Sequence, residues 1–214
     1  MQNRLLIYSL GDRSHGLGHI QRCIVLSNEL ARRGVECAFV TPSSTAGHAR
    51  LAAAGKTIIP CDYDDPEELL RYIAPDFPAL LVDVEAADEY GPCVELLKVI
   101  RPNFKTLIGV NGAGWKLAQS GLLDLQICQS ILMDIPLSPA VIGGVENIII
   151  DPRFASLTPN PESGHVVISM GGGDPHNLTA QTVRALADCG RRLAVVIGAA
   201  VKDDWQDDWK MIAI

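Results

Sequence analysis

An α/β protein built on a parallel sheet is predicted by three observations. Apolar strand-like runs alternate with segments of helical spacing. Those runs are rich in Val, Ile and Leu with little polar alternation, as in a sheet covered on both faces. Two glycine-rich turns, Gly16–Gly18 and Gly171–Gly173, each follow a strand-like run and open a helical one. The expected strands of the first unit lie near Leu5–Ser9, Cys37–Thr41, Thr57–Ile59, Leu80–Val84 and Thr106–Val110. The first helix, Ile20 to Arg33, places Ile20, Cys23, Ile24, Ser27 and Leu30 on one side and stops at Gly34. The acids Asp62, Asp64, Asp65, Glu67 and Glu68 read as the first turn of a later helix.

After the short apolar runs Leu125–Cys128 and Ile148–Ile150, residues 151–164 contain Pro152, Pro159 and Pro161 and read as a linker. A second unit then begins with a buried strand His165–Met170, in which His165 is structural. It continues through the glycine loop to a helix from His176 to Cys189 and a strand Leu193–Ile197 with an open edge. Residues 201–214, with Trp205 and Trp209, are compatible with one amphipathic helix. This division gives an N-terminal domain over 1–150, a linker over 151–164 and a C-terminal α/β domain over 165–214. The last supplies too few strands for three layers and is expected to be incomplete.

The chain has 214 residues, 48% of them apolar, and a formal charge of −7 without a basic cluster, so attraction to nucleic acid is not expected. Six scattered cysteines without a C-x-x-C pair fit reduced core thiols. The start lacks a signal-peptide pattern and no apolar run spans a bilayer, so a cytoplasmic protein without an integral membrane segment is expected. Oligomeric state is not legible. Neither glycine cluster completes a G-x-G-x-x-G or P-loop pattern, and the five histidines lack a metal-binding arrangement, so no cofactor or metal is expected.

Gly16-Leu17-Gly18-His19 places a histidine at a helix N-terminus, where backbone N–H groups favour anions and the helix dipole disfavours an imidazolium. A neutral imidazole there can accept a proton; equally, the glycines make a turn that His19 caps. Gly171-Gly172-Gly173 can expose amides to a phosphate, and the following helix would add its positive end. Asp174-Pro175 reads as an N-cap followed by a first-turn proline. Asn177 and Thr179 lie near the same mouth, Thr179 on a solvated first turn. Asp83 ends a strand on the ligand side, where it either touches a substrate hydroxyl or caps a turn. Tyr90 and Trp115 are pocket walls or core.

The ordered segments Gly16-Leu17-Gly18-His19-Ile20-Gln21-Arg22-Cys23, Val141-Ile142-Gly143-Gly144 to Phe154, and Val166 to Asn177 resemble the nucleotide-sugar hydrolase of the pseudaminic acid pathway. That family is similar to two-domain, Rossmann-like GT-B glycosyltransferases, and the resemblance implies release of UDP from an amino-sugar nucleotide without a cofactor. It implies His19 as the base that activates water. Gly16, Gly18, Arg22, Asp83, Gly171, Gly172, Gly173 and Asn177 would then contact the substrate, a UDP-sugar; for Arg22, on a helix, the alternative is that it faces inward to pair with a carboxylate. The chain departs from the family at Asp83-Val84-Glu85, where Asp-His-Tyr is usual, and at Val110-Asn111, where an acidic pair is usual. A GT-B glycosyltransferase using a UDP-sugar donor is the alternative expectation, and an inactive fragment or binding module the second.

Overall fold

The computed structural model describes residues 3–12, 16–61, 67, 70, 73–84, 90–111, 120–129, 140–158, 160, 164–198 and 201, with the side chains of 90–93 and 111 excepted. The expectations for Asp62, Asp64, Asp65, Glu68, Glu85, Trp115, the Tyr90 side chain and the tail helix lie outside this set.

Seven parallel strands form the first sheet: β1 (Arg4–Ser9), β2 (Glu36–Thr41), β3 (Thr57–Pro60), β4 (Ala79–Asp83), β5 (Thr106–Asn111), β6 (Leu125–Cys128) and β7 (Val141–Ile142). Their order, β3-β2-β1-β4-β5-β6-β7, reverses direction between β1 and β4. In open α/β sheets that reversal leaves a crevice beyond the carboxyl ends of the two strands, where ligands bind. The helices are α1 (Gly18–Arg32), α2 (Ala46–Ala53) and α3 (Tyr90–Ile100). The five expected strands are present with boundaries moved by one residue, and the first sheet gains β6 and the two-residue β7. Ile148–Ile150 adds no strand.

Alternation along each strand divides the core into two layers. Leu5 and Ile7 of β1, Phe39 of β2, Leu81 of β4 and Val110 of β5 pack with Ile20, Cys23 and Ile24 of α1. The intervening residues Leu6, Val40, Leu80, Val82 and Leu107 pack on the opposite face with Leu97 and Ile100 of α3. Register keeps the layers aligned: Ile7 lies beside Phe39 on one flank and Leu81 on the other. Arg32 and Arg33 are exposed and pair with Glu29, as a solvated helix end requires.

Residues Pro152–Ser156 form a 3-10 turn opened by Asp151, whose carboxylate accepts from the Arg153 amide. Arg153 holds that carboxylate down to about 2, through its side chain and then its amide. A separate two-stranded parallel sheet follows, β8 (His165–Ser169) and β9 (Arg192–Val196), joined by α4 (Leu178–Leu186). The expectation of a buried β8 needs correction. Ile168 is buried, but His165, Val167 and Ser169 are exposed, because α4 covers only one face among the described residues. Val196 of β9 is likewise exposed. The cysteines divide: Cys23, Cys61 and Cys128 are buried thiols, Cys37 is half-buried, and Cys189 is exposed, contrary to the expectation of core placement.

The seat of α2 depends on Gly47. Its amide donates to the Gly11 carbonyl at 2.7 Å, and a Cβ at residue 47 would lie 2.6 Å from that same oxygen. Gly47→Ala is therefore expected to lower stability by about 1–3 kcal/mol through overpacking, read as a lower denaturation midpoint.

Candidate functional site

The site is assembled at the reversal point by two periodicities. Asp83 lies on the same face of β4 as Leu81, pointing towards α1, while His19, Arg22 and Cys23 stand at i, i+3 and i+4 on the helix face that meets it. Asp83 has no exposed surface. Its Oδ1 lies 2.8 Å from His19 Nδ1 and also accepts from Arg22 Nη2. Its Oδ2 accepts from Arg22 Nε at 2.5 Å and from the Cys23 thiol at 3.3 Å. Arg22 Nη2 is in addition 2.7 Å from His19 Nδ1. Burial of the Arg22 guanidinium works against its charge, but hydrogen bonding to Asp83 and the negative charge of Asp83 outweigh that and hold the group above its ordinary range. Burial, reinforced by the Asp83 charge, pushes the Cys23 thiol well up, so it remains a protonated donor.

These contacts decide between alternatives at two residues. Asp83 does not sit at the mouth as a contact for a substrate hydroxyl: it is buried behind His19, with both oxygens engaged. Arg22 turns inward to that carboxylate. The sequence showed the residue types, but their meeting required the register of β4 against β1, which pairs Ser9 with Asp83. Cys23, read from sequence as an apolar-stripe residue, is part of the same cluster.

The N-terminus of α1 faces this cluster without a side-chain cap and with no acid in its first turn. Gly16 adopts φ +69°, and Gly18 is exposed with open space where a Cβ would project. Among the described residues, the loop of the second unit meets the first here: a Cβ on Gly172 would lie 2.6 Å from the Leu17 amide nitrogen. Gly171, at φ +77°, has open space on its Cβ side, and Gly173 is buried.

The N-terminus of α4 differs from its sequence expectation. Asn177, not Asp174, occupies the N-cap position, in a left-handed conformation at φ 51° and without a side-chain cap bond. Asp174, three residues earlier at φ 41°, reaches forward to accept from the amides of Leu178 at 2.8 Å and Thr179 at 3.0 Å. Pro175 therefore lies in the turn before the helix, and Thr179 is buried where a solvated position was expected. Because the Asp174 carboxylate occupies the positive end of α4, that end is not free for a phosphate; among the described residues, the N-terminus of α1 holds no such carboxylate.

A cavity of about 490 Å³ lies elsewhere, along α1 between Gln21, Asn28 and Arg50 and the segment Ile148–Arg153. It does not include His19. No helix among the described residues is long and apolar enough to cross a membrane.

A seven-stranded parallel sheet with helices on both faces, followed by a second parallel α/β unit whose glycine loop meets the first, has the GT-B-like α/β fold. The structure is similar to MurG of Acinetobacter baumannii, with a TM-score of 0.56 and 13% identity, covering 98% of this chain and 63% of that one. It is similar to the spinosyn forosaminyltransferase SpnP, with a TM-score of 0.55 and 12% identity over 94% of this chain and 70% of that one. An alpha-glucosyltransferase in complex with UDP and a 13-mer DNA aligns with a TM-score of 0.51 and 12% identity over 99% of this chain and 60% of that one. In sequence, the chain is 25% identical over 220 residues to an uncharacterized protein of Methanocaldococcus jannaschii, covering 96% of this chain and 44% of the relative. The chain thus spans less than half the length of that relative. No family model matches it.

Asp174 gives the second unit an acid-sensitive element. Burial alone would raise its pKa, but the hydroxyl and amide of Thr179 and the amide of Leu178 outweigh burial and hold the carboxylate below its ordinary range. Its stabilising contribution is thus full above the unfolded-state value and disappears as pH falls through the lower folded-state value. Asp174→Ala should cost about 1 kcal/mol at neutral pH, comparable to loss of a helix cap. Thermal unfolding at a series of pH values is expected to show that deficit shrinking below about pH 4.

Proposed function

We propose that this chain is the sugar-transfer portion of a GT-B-type enzyme that moves an amino sugar from a nucleoside-diphosphate donor, UDP in the first instance, to a hydroxyl acceptor. The observation that carries the reading is the His19–Asp83 pair at the β1/β4 reversal, beside an uncapped helix N-terminus and within reach of the Gly171–Gly173 loop. The likeness to glycosyltransferases favours transfer over the hydrolase expected from the sequence resemblance.

With the Nδ1 proton donated to Asp83, His19 Nε2 takes the proton of the acceptor hydroxyl. The acceptor oxygen forms a bond to the anomeric carbon as the bond from that carbon to the diphosphate oxygen breaks, with inversion. The electron pair leaves with the nucleoside diphosphate. Its developing negative charge is received by the N-terminus of α1 and by the glycine loop. Gly16, Gly18, Gly171, Gly172 and Gly173 are assigned to diphosphate approach and Asn177 to the rim, while Arg22 and Asp83 support His19.

Hydrolysis is the second reading, favoured by the resemblance of Gly16 to Cys23 to the nucleotide-sugar hydrolase motif. In that case water replaces the acceptor in the same step. The test is UDP release from a panel of UDP-amino sugars, with and without hydroxyl acceptors. Release that requires an acceptor supports transfer, release in buffer alone supports hydrolysis, and no release under either condition overturns both. His19→Ala is expected to reduce release by about 10²-fold or more, as for loss of a general base.

A further inference from the structure

The Asp83 carboxylate has no exposed surface, and four donors converge on it: two nitrogens of Arg22, the Cys23 thiol and His19 Nδ1. An ionised carboxylate offers about four lone-pair sites, so the set closes when Nδ1 carries a proton. Arg22 Nη2, 2.7 Å from the same Nδ1, would by itself favour the opposite tautomer, with Nδ1 accepting. Two considerations decide between them. A bare Nδ1 would face Asp83 Oδ1 at 2.8 Å lone pair to lone pair, beside a buried anion. Nη2 also already donates one of its two N–H groups to Oδ1, so its bond to Asp83 does not require the imidazole as an acceptor.

We propose that Arg22 is a positioning residue for His19 and not a substrate contact: by neutralising Asp83 through a two-nitrogen fork, it keeps the imidazole uncharged, with its proton on Nδ1 and Nε2 bare. Without the guanidinium, the neighbour of the ring would be an uncompensated buried carboxylate. Such a charge stabilises the imidazolium, in which both nitrogens carry protons and neither accepts one. Among the described residues, the ionisable groups of this cluster are Arg22 and Cys23 from α1 and Asp83 from β4, and the thiol is held protonated. Among the described residues of the cluster, Arg22 is therefore the cation that offsets Asp83. Lysine cannot reproduce the planar fork, which spans both oxygens.

The consequence for catalysis rests on the reading of His19 as the base. The arrangement itself is measured without turnover, so failure of the sugar-transfer reading would leave it standing. The experiment is long-range proton–nitrogen NMR of the ¹⁵N-histidine-labelled chain through a pH titration, with His19 assigned from His19→Gln. The neutral form is expected to show a protonated Nδ1 and a bare Nε2. Arg22→Met should move the His19 titration midpoint up by about one pH unit or more. Arg22→Met combined with Asp83→Asn, which removes both charges, should return the midpoint towards that of the parent chain.

If Arg22→Met does not fold, Arg22→Gln, which retains a hydrogen-bond donor without the charge, must move the midpoint in the same direction. A parent spectrum with the proton on Nε2 overturns the proposal. So does a midpoint unmoved in a folded Arg22 variant. A purely structural role for Arg22 would alter stability without this tautomer pattern or the return in the double variant.

Discussion

A carboxylate removed entirely from water must find donors, and the demand of Asp83 for them fixes much of the first unit. Leaving such a group buried and unpaired costs several kcal/mol, so α1 docks in the rotation that brings Arg22, Cys23 and His19 over the end of β4. The same rotation places Ile20 and Ile24 against Ile7, Phe39 and Leu81. Polar and apolar requirements therefore select one seating of the helix. That seating carries the imidazole to the crevice opened by the reversal of strand order, linking the packing of the core to the place where chemistry can occur.

The two glycine loops lead into helices with opposite electrostatic situations. Among the described residues, the first turn of α1 has neither an acid nor a side-chain cap, and nothing fills the space where a Gly18 Cβ would project. The first turn of α4 receives the carboxylate of Asp174, bound to two of its amides. An incoming anion thus meets attraction at one helix and a resident negative charge at the other. The second loop contributes through its backbone and its lack of side chains, while its helix is anchored internally. A similar sequence signature, glycines between a strand and a helix, has in this chain two physical meanings.

Much of the architecture was legible because burial writes itself into periodicity. The Val-, Ile- and Leu-rich runs identified β1 to β5, and the stripe from Ile20 to Leu30 identified α1 with its buried face. The two-residue β7 carries too little pattern to be recognised. At β8 the apolar run misled: Val167 is as apolar as a core residue but is exposed, while Ile168 is buried and Val166 half-buried. His19 was legible from its place after a glycine turn. The partnership of Asp83 with Arg22 and Cys23 was not, since it depends on contacts 60 and 61 positions apart in sequence. Asp174 was correctly read as serving a helix start, yet the left-handed turn through Asn177 displaced it from the cap position itself, a backbone choice that residue identity alone does not dictate.

Gly172 also acts as a mechanical stop. The space its side chain would need is occupied by the Leu17 backbone, and a Cβ at Gly198 would likewise collide with the carbonyl oxygens of Gly171 and Gly172, so the second loop is packed without room for a side chain at either position. Hard-core repulsion rises far more steeply than any attraction between the two loops, so displacement at this junction is rectified: the loops can separate, but they cannot interpenetrate. A larger residue at position 172 would act as a wedge, holding the gap ajar and moving the second glycine loop away from the first without altering the rest of either one.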